Sequence, residues 1–445
     1  GMAVATLAFA TRAARHTFVA TLRAAAFVQP ARARLFAFCS REAYPCSAAA
    51  AGFGYDAARE FARQGALGPG AAATAAWRTT ALNADYTLCP SYPRVLVVPA
   101  AAPDALVADA AAFRTRARVA VLTWLSPDGV PLARSSQPCR GARGARSAAD
   151  AAYIDLFRTA NPADQSVLLV ADSRPRSAAL ANRARGGGTE DAAAYAHCRV
   201  AFADIPNIHA VRAAHTKLRA LCQPSSEAAA VGDWPGALGA TRWPATARLV
   251  LDGAAAIVAS IAVRRQGVLC HCSDGWDRTA QCCALAQLCL DGHYRTLRGL
   301  ACLLEKDWLA FGHKFEQRGA PGFATPSDQC APVFAQFLCC VHALLAQYPT
   351  AFEYSARLLA FLDAHAHSAR FATLLGDTDA QRAADRAAHP AAPALWDAVL
   401  AHRTAFLNPR YDAATARDVL HPDTRACALA PWDDHYLAWL RMHPC

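Results

Sequence analysis

Apolar positions along the chain switch repeatedly between two periods. The runs 95-VLVVP-99, 119-VAVLTWL-125, 167-VLLVAD-172 and 268-VLCH-271 are continuous, short and rich in Val and Leu, so they predict buried strands. A shorter run, 35-LFAF-38, and an extended piece, 200-VAFADIPNIH-209, accompany them. Stretches with helical spacing alternate with these runs: 105-ALVADAAAF-113, a segment near 150–159, and others over 210–222 and 245–264. Two more over 280–312 join near 291-DGHYR-295, and 333-VFAQFLCCVHALLAQ-347, 351–365 and a helical tail over 394–440 complete the series. Turn residues place a turn at 126-SPDG-129 and loops at 66–76, 135–147, 182–191 and 223–236. Helix alternating with buried strand predicts an α/β fold. With no internal repeat and no clear linker, the expected division is a lead-in over 1–30 and one large domain over 31–445.

Composition narrows the class. At 54% hydrophobic and 18% charged, the 445 residues supply a large core and exclude a disordered chain. Arg12, Arg15, His16 and Arg23 interrupt the apolar N-terminal region, so it is no membrane span. Its Arg-rich, acid-poor character would suit a transit peptide, but an amphipathic lead-in helix is the simpler expectation. Lysine occurs only at Lys217, Lys306 and Lys314, so arginine supplies 42 of the 45 basic side chains. That bias, with abundant Ala, Pro and Gly, makes much of the alanine uninformative. The net charge of +10 favours anionic partners: lipid surfaces, phosphorylated ligands or nucleic acid. Seventeen cysteines include no paired C-x-x-C of zinc spacing. Most lie in apolar stretches as small hydrophobes, which suits a reducing compartment.

One cysteine stands apart. In 268-VLCHCSDGWDRTAQCC-283 a buried strand ends in Cys-Ser-Asp-Gly-Trp-Asp-Arg-Thr and a helix begins. Cys272 and Arg278 are separated by five residues. A short loop between a strand and a helix N-terminus turns backbone N–H groups inward, where the helix dipole adds positive potential. A cysteine at its start becomes a populated thiolate. Arg278 offers a planar fork to two phosphate oxygens. Gly275 permits the tight approach, and Thr279 can hydrogen-bond the sulfur. The implied chemistry is phosphoryl transfer to sulfur followed by hydrolysis. The leaving hydroxyl needs a proton. No Trp-Pro-Asp occurs, only 233-DWP-235 and 243-WPA-245. The acid is therefore expected within the cradle, at Asp277 in preference to Asp274.

The filled sequence His-Cys-Ser-Asp-Gly-Trp-Asp-Arg-Thr resembles the signature of the myotubularins, a family of phosphoinositide 3-phosphatases. Further fragments extend the likeness over roughly residues 30–440: 60-EFARQG-65, 92-YPRVLVVP-99, 119-VAVLTW-124, 135-SSQP-138, 172-DSRP-175, 181-ANRARGGG-188, 207-NIH-209, 305-EKDWLAFGHKFEQR-318, 348-YPTAFEY-354 and 408-NPRY-411. The resemblance implies a cysteine-phosphatase fold: a central mixed or mostly parallel sheet flanked by helices and enlarged by insertions. It implies removal of the 3-phosphate from phosphatidylinositol 3-phosphate and phosphatidylinositol 3,5-bisphosphate through a phosphocysteine. Cys272 would be the nucleophile, Arg278 the phosphate binder and Asp277 the acid. Ser273, Asp274, Gly275 and Trp276 would line the cradle. Asn182, Asn207 and Ile208 would contact substrate, with Lys314 and Arg318 near a second phosphate. It further implies membrane phosphoinositides as partners, oligomers with itself or related phosphatases, no nucleic acid, no metal or other cofactor, and a cytoplasmic location peripheral to endosomal membranes.

Two departures qualify the likeness. The family usually carries Arg where this chain has Lys314, and a point charge cannot form a bidentate fork, so altered 5-phosphate recognition is expected. The lipid-binding domain that usually precedes the phosphatase, and the coiled coil that often comes after it, are not expected in a chain of this length. Plainer roles compete at several positions: a helix cap for Asp277, a turn or cap for Asn182 and Asn207, a flexible loop for 183-RARGGG-188, and one solvated basic face shared by Lys314 and Arg318. A non-enzymatic adaptor and a protein phosphatase are the rival functions. The intact Cys272, Arg278 and both Asp residues disfavour the first, and the wide basic loops disfavour the second.

Overall fold

Among the described residues of the computed structural model seven strands form: β1 (Trp77–Thr80), β2 (Leu96–Pro99), β3 (Val121–Leu125), β4 (Pro131–Ser135), β5 (Leu168–Asp172), β6 (Cys198–Phe202) and β7 (Val268–His271). The structure describes residues 7–26, 35–39, 44, 53–68, 76–223, 232–319, 327–429 and 431–438. β1 and β2 pair antiparallel on their own, and the other five make a sheet in the order β3-β4-β7-β5-β6. β3 runs antiparallel to β4, and the remaining neighbours are parallel. The sheet is thus mixed and mostly parallel, as the resemblance implied.

Both faces of the sheet are covered, so β4 and β7 are buried at every position and β5 at all but Ala171. Side chains alternate between the two sides with the period of two that a strand imposes. Val268 and Cys270 enter one apolar core with Leu132 and Leu169. Leu269, Ala133 and Leu168 enter the other. The first core is built with helices Trp243–Val258, Arg278–Leu290 and Val333–Gln347, the second with Asp104–Ala112 and Ala148–Thr159. Helix Arg278–Leu290 is buried almost all round, and its Ala and Cys residues let neighbours approach closely. Trp243–Val263 is long and apolar enough to cross a membrane by composition, but 56% of its most apolar window is buried in the protein. Its apolarity is that of a core helix.

Register decides where the site lies. Ser135 of β4 and Asp172 of β5 both align with His271 of β7. Three parallel strands therefore end at one level, and the loops after them open on the same side, where α/β sheets bind ligands.

Several expectations are corrected. β4 was not expected as a strand, because Pro-Leu-Ala-Arg-Ser has no apolar run. Its Arg134 is buried through an ion pair with Asp307 at 2.8 Å. Asn182 and Arg183, expected in a loop, close a helix Arg176–Arg183 that starts after Pro175. Residues 234–236, expected at the end of a loop, open the helix Trp234–Ala240. The tail is not continuously helical. It holds short helices Leu395–Ala401 and Arg403–Phe406, and Pro409 and Pro422 help keep the residues beyond them to short turns. Lys314 lies just before a short helix, Phe315–Gly319, and its carbonyl accepts from the Arg318 amide at 2.7 Å, but Arg318 is buried and Lys314 half-buried, so the two do not form a solvated basic face. The lead-in is helical over Arg12–Ala26. Residues 1–6 and 27–34 of the N-terminal region, 69–75 of one expected loop and 224–231 of another fall outside the described residues.

Candidate active site

β7 delivers Cys272 to the mouth of the sheet, and helix Arg278–Leu290 begins six residues later. Between them Gly275 adopts φ +80° and turns its N–H to Cys272 Sγ at 3.3 Å. A Cβ at this glycine would stand 2.3 Å from the Ser135 carbonyl oxygen, which belongs to the end of β4 and cannot retreat. Only glycine fits. Cys272 is 3% exposed. Burial pushes its thiol up, but the Arg278 charge and the nearby Thr279 hydroxyl and amide outweigh it, so the thiol titrates below its ordinary value. The thiols of Cys198, Cys222, Cys270, Cys283, Cys289, Cys302, Cys339 and Cys340 all move up, chiefly through burial for all but Cys270, where the Cys282 thiol acts first. Location, not cysteine chemistry in general, pulls the Cys272 thiol down.

The Arg278 guanidinium is held across the loop. Its Nη1 donates to the Ile205 carbonyl at 3.3 Å and its Nη2 to Ser273 Oγ at 3.4 Å. Asn182 Nδ2 donates to the same Ser273 hydroxyl at 2.9 Å, which brings the 182–188 turn to the cradle. Behind the loop His271 is fully buried between two acceptors, Glu190 Oε2 at 2.9 Å from Nε2 and the Cys272 carbonyl at 3.1 Å from Nδ1. Two acceptors require two N–H groups, so the ring is an imidazolium. Burial opposes this charge, and Glu190 overrides it and raises the His271 pKa. Glu190 in turn accepts from Arg114 Nη1 at 2.7 Å, and Arg114 forks onto Asp150 at 2.8 and 2.7 Å. A buried ion chain thus fixes the backbone of the nucleophile.

Asp277 occupies the N-cap position of the helix, but its carboxylate makes no cap bond. It accepts instead from Arg318 Nε at 3.2 Å and Nη2 at 2.9 Å, with His313 Nδ1 at 3.2 Å. Burial pushes this carboxyl up, yet Arg318 and His313 hold it well below the usual carboxylate range. His313 Nδ1 also donates to the Trp276 carbonyl at 2.9 Å. Arg318 is therefore committed to Asp277. Lys314 Nζ lies 4.9 Å from the Trp276 ring centroid, and Arg116 covers the same ring at 5.0 Å while its Nε donates to Asp274 at 3.2 Å. Asn207 caps helix Ile208–Leu221, its Oδ1 accepting from the His209 and Ala210 amides at 3.1 Å each. Its oxygen is occupied, and Asn207 and Ile208 are tied to the cradle only by sequence, two and three residues beyond Ile205, whose carbonyl accepts from Arg278.

A cysteine at a strand end with its thiol pulled down, a tight turn of backbone and an arginine on the helix after it are an arrangement that can hold a phosphoryl group. Its sequence has known relatives. A family model described as the myotubularin-like phosphatase domain matches residues 35–383. The chain belongs to this family. Myotubularin of Xenopus laevis is 38% identical over 406 residues, which cover 91% of this chain and 65% of that protein. Myotubularin of Rattus norvegicus is 37% identical over 407 residues, 91% of this chain and 65% of the relative. A protein of Mus musculus named phosphatidylinositol-3,5-bisphosphate 3-phosphatase MTMR2 is 37% identical over 413 residues, 92% of this chain and 62% of its own length. The chain thus spans less than two thirds of these curated relatives.

For a myotubularin-like domain the structure adds residues that the sequence did not single out. Arg116 stands at the rim, and His313, Glu190, Arg114 and Arg134 are buried beneath it. Their only signal in the sequence was that Arg116, Arg134 and Glu190 neighbour fragments of the family likeness and His313 falls inside one. Among the described residues no group of three or more His, Cys, Asp or Glu could hold a metal ion.

Proposed function

We propose that this myotubularin-like domain removes the 3-phosphate of phosphatidylinositol 3-phosphate and phosphatidylinositol 3,5-bisphosphate. The observation that carries the proposal is the Cys272 thiol, pulled down in a cradle closed by Arg278 while eight buried or half-buried thiols are pushed up. Cys272 Sγ attacks phosphorus in line, and the bond from phosphorus to the inositol 3-oxygen breaks. Arg278 and the loop amides take the charge on the phosphoryl oxygens. The departing oxygen takes a proton from Asp277. Water then attacks the phosphocysteine, gives its proton back to Asp277, and releases inorganic phosphate and the thiolate.

Asp277 is ionised in the ligand-free arrangement, which suits the second step. Before the first step Asp277 takes up a proton from solvent, which the negative charge of a bound phosphate dianion favours by raising its pKa. Asn182, Asn207 and Ile208 are assigned to the inositol ring and Lys314 to a second phosphate. The +10 charge supports action at an anionic membrane surface from the cytoplasmic side, with endosomal membranes as the expected place. Assembly with itself or with related phosphatases belongs to the same reading.

The test is phosphate release from short-chain phosphatidylinositol 3-phosphate, the 3,5-bisphosphate, the 4-phosphate, the 5-phosphate and a phosphotyrosine peptide, with Cys272→Ser as blank. Release confined to the two 3-phosphorylated lipids and absent in the blank supports the proposal. Release from the peptide alone favours a protein phosphatase, and no release from folded protein favours an adaptor.

A further inference from the structure

Two buried arginines converge on one oxygen of the cradle. Arg134 Nη2 donates to the Gly275 carbonyl at 2.8 Å, and Arg118 Nη2 donates to the same atom at 3.1 Å. Each is sealed from solvent. The rest of each fork is anchored in a different part of the fold. Arg134 Nη1 reaches the Asp307 carbonyl at 2.7 Å and its carboxylate at 2.8 Å. Arg118 Nη1 reaches the Ser91 carbonyl at 3.0 Å and hydroxyl at 2.7 Å, and its Nη2 also reaches the Phe311 carbonyl at 2.8 Å. Its guanidinium lies 4.4 Å from the Tyr92 ring centroid and 5.6 Å from that of Trp276.

A planar trans peptide points its C=O and N–H in opposite directions. Fixing the Gly275 oxygen outward therefore turns the Trp276 N–H the other way. That N–H finds no acceptor among the described residues. The N–H on the other side of Gly275 already faces the Cys272 sulfur. Successive amides about a left-handed glycine form the concavity that binds anions.

The two arginines differ in one respect. Arg134 has the carboxylate of Asp307, whereas Arg118 donates only to carbonyls and a hydroxyl, with no ion pair among the described residues. A buried cation without a carboxylate is costly, and an apolar side chain of similar size would fill the space at lower cost if packing were its sole role. The chain also bends unfavourably to place it. Arg116 and Ala117, just before it, both hold positive φ, +58° and +55°, a conformation that non-glycine residues adopt at a cost. This turn sends Arg116 to the rim over Trp276 and Arg118 beneath it.

We propose that Arg118 and Arg134 are positioning residues for phosphoryl transfer: together they aim the Trp276 amide at the phosphate, and the Arg118 charge, held against the Gly275 carbonyl, lies beneath the loop that carries Cys272 and would hold the phosphoryl group. The proposal rests on the cradle accepting a phosphoryl group, as the phosphatase reading holds. It predicts separate effects for charge and for fork geometry, which a merely structural role does not.

The test uses the full chain with Arg118→Met, Arg118→Lys and Arg134→Lys, each checked for folding by thermal melting. Two readouts are taken: the pH midpoint for alkylation of Cys272 by iodoacetamide, read by peptide mass spectrometry, and kcat and KM on short-chain phosphatidylinositol 3-phosphate. Arg118→Met is expected to raise the alkylation midpoint by at least about half a pH unit. Arg118→Lys restores the midpoint, since the charge returns, but kcat stays down about tenfold or more at unchanged KM, since one ammonium cannot serve Ser91, Phe311 and Gly275 together. Arg134→Lys lowers kcat in the same way. Folded variants that keep both the wild-type midpoint and kcat within about twofold overturn the proposal, as do losses that track only the folded fraction. If Arg118→Met does not fold, the two lysine variants decide by kcat. If the wild type turns over no lipid, the alkylation midpoints and protection of Cys272 by orthovanadate still read the cradle, so failure of the substrate reading is distinguishable from failure of this one.

Discussion

Replacing Arg318 by leucine isolates the pair that controls Asp277. In the native protein two guanidinium nitrogens stand 2.9 and 3.2 Å from the carboxylate, and both side chains are under one tenth exposed. At an effective dielectric of about 20, opposite charges about 4 Å apart attract by about 4 kcal/mol, and breaking one side of a buried pair costs about 3–5 kcal/mol. His313 stays at 3.2 Å and compensates in part, so a loss of about 3 kcal/mol is expected. With an unfolding entropy of about 2.1 cal/mol/K per residue, a 445-residue chain melts about 3 °C lower. The pH dependence carries the sharper content. Asp277 titrates far below its unfolded value in the native protein, so its contribution is full above about pH 4 and is lost as pH falls further toward its folded value. In Arg318→Leu burial raises the carboxyl instead, so the variant loses stability as pH rises through that raised value. The gap in melting temperature should be widest at pH 7 and narrow progressively toward pH 4. Melting curves at pH 7, 5.5 and 4.5 read it directly, and the acid limb of kcat should move up with the Asp277 pKa. A gap independent of pH, or melting unchanged at pH 7, would refute the ion-pair account.

Three further outcomes rest on the geometry. Gly275→Ala should cut kcat about a hundredfold and lower the melting temperature, because a Cβ 2.3 Å from the Ser135 carbonyl forces the loop to move and a misplacement of about 1 Å costs that much; phosphate-release kinetics with melting curves check it. Glu190→Gln should destabilise the protein more at pH 6 than at pH 8, because the raised His271 pKa contributes stability below its unfolded value near 6.5 and loses it as pH rises through the folded one; equal losses at both pH values would exclude a charged His271. Lys314→Arg should raise kcat/KM for the 3,5-bisphosphate over the monophosphate roughly fivefold, about 1 kcal/mol for one added charge-assisted hydrogen bond, and an unchanged ratio would remove position 314 from the second-phosphate site.

The sequence was legible where the determinants are local. Strand, loop and helix over 268–290 succeed one another along the chain, and apolar run, glycine and helical spacing announce each in turn. It was illegible where a polar residue is buried through a distant partner. β4 escaped notice because its Arg134 is neutralised by Asp307, 173 positions away. Asn182 reads as a loop residue until the helix it closes docks on Ser273. Arg318 reads as a cation for a second phosphate until Asp277 claims it.

The chain alone thus settled the α/β class and the strand, turn and helix around Cys272 and Arg278, because a turn of backbone with Cys272 at one end and Arg278 at the other is specified by seven contiguous residues. Tertiary structure decided the electrostatics. Parallel pairing of β4, β5 and β7 in register ends three strands at one level, and only then do Arg118, Arg134, Glu190, His313 and Arg318 reach the loop. Whether a carboxyl is an acid or an ion, and whether a carbonyl faces in or out, depends on charges and donors a few ångströms away in space, and these come from positions tens to more than a hundred residues away along the chain.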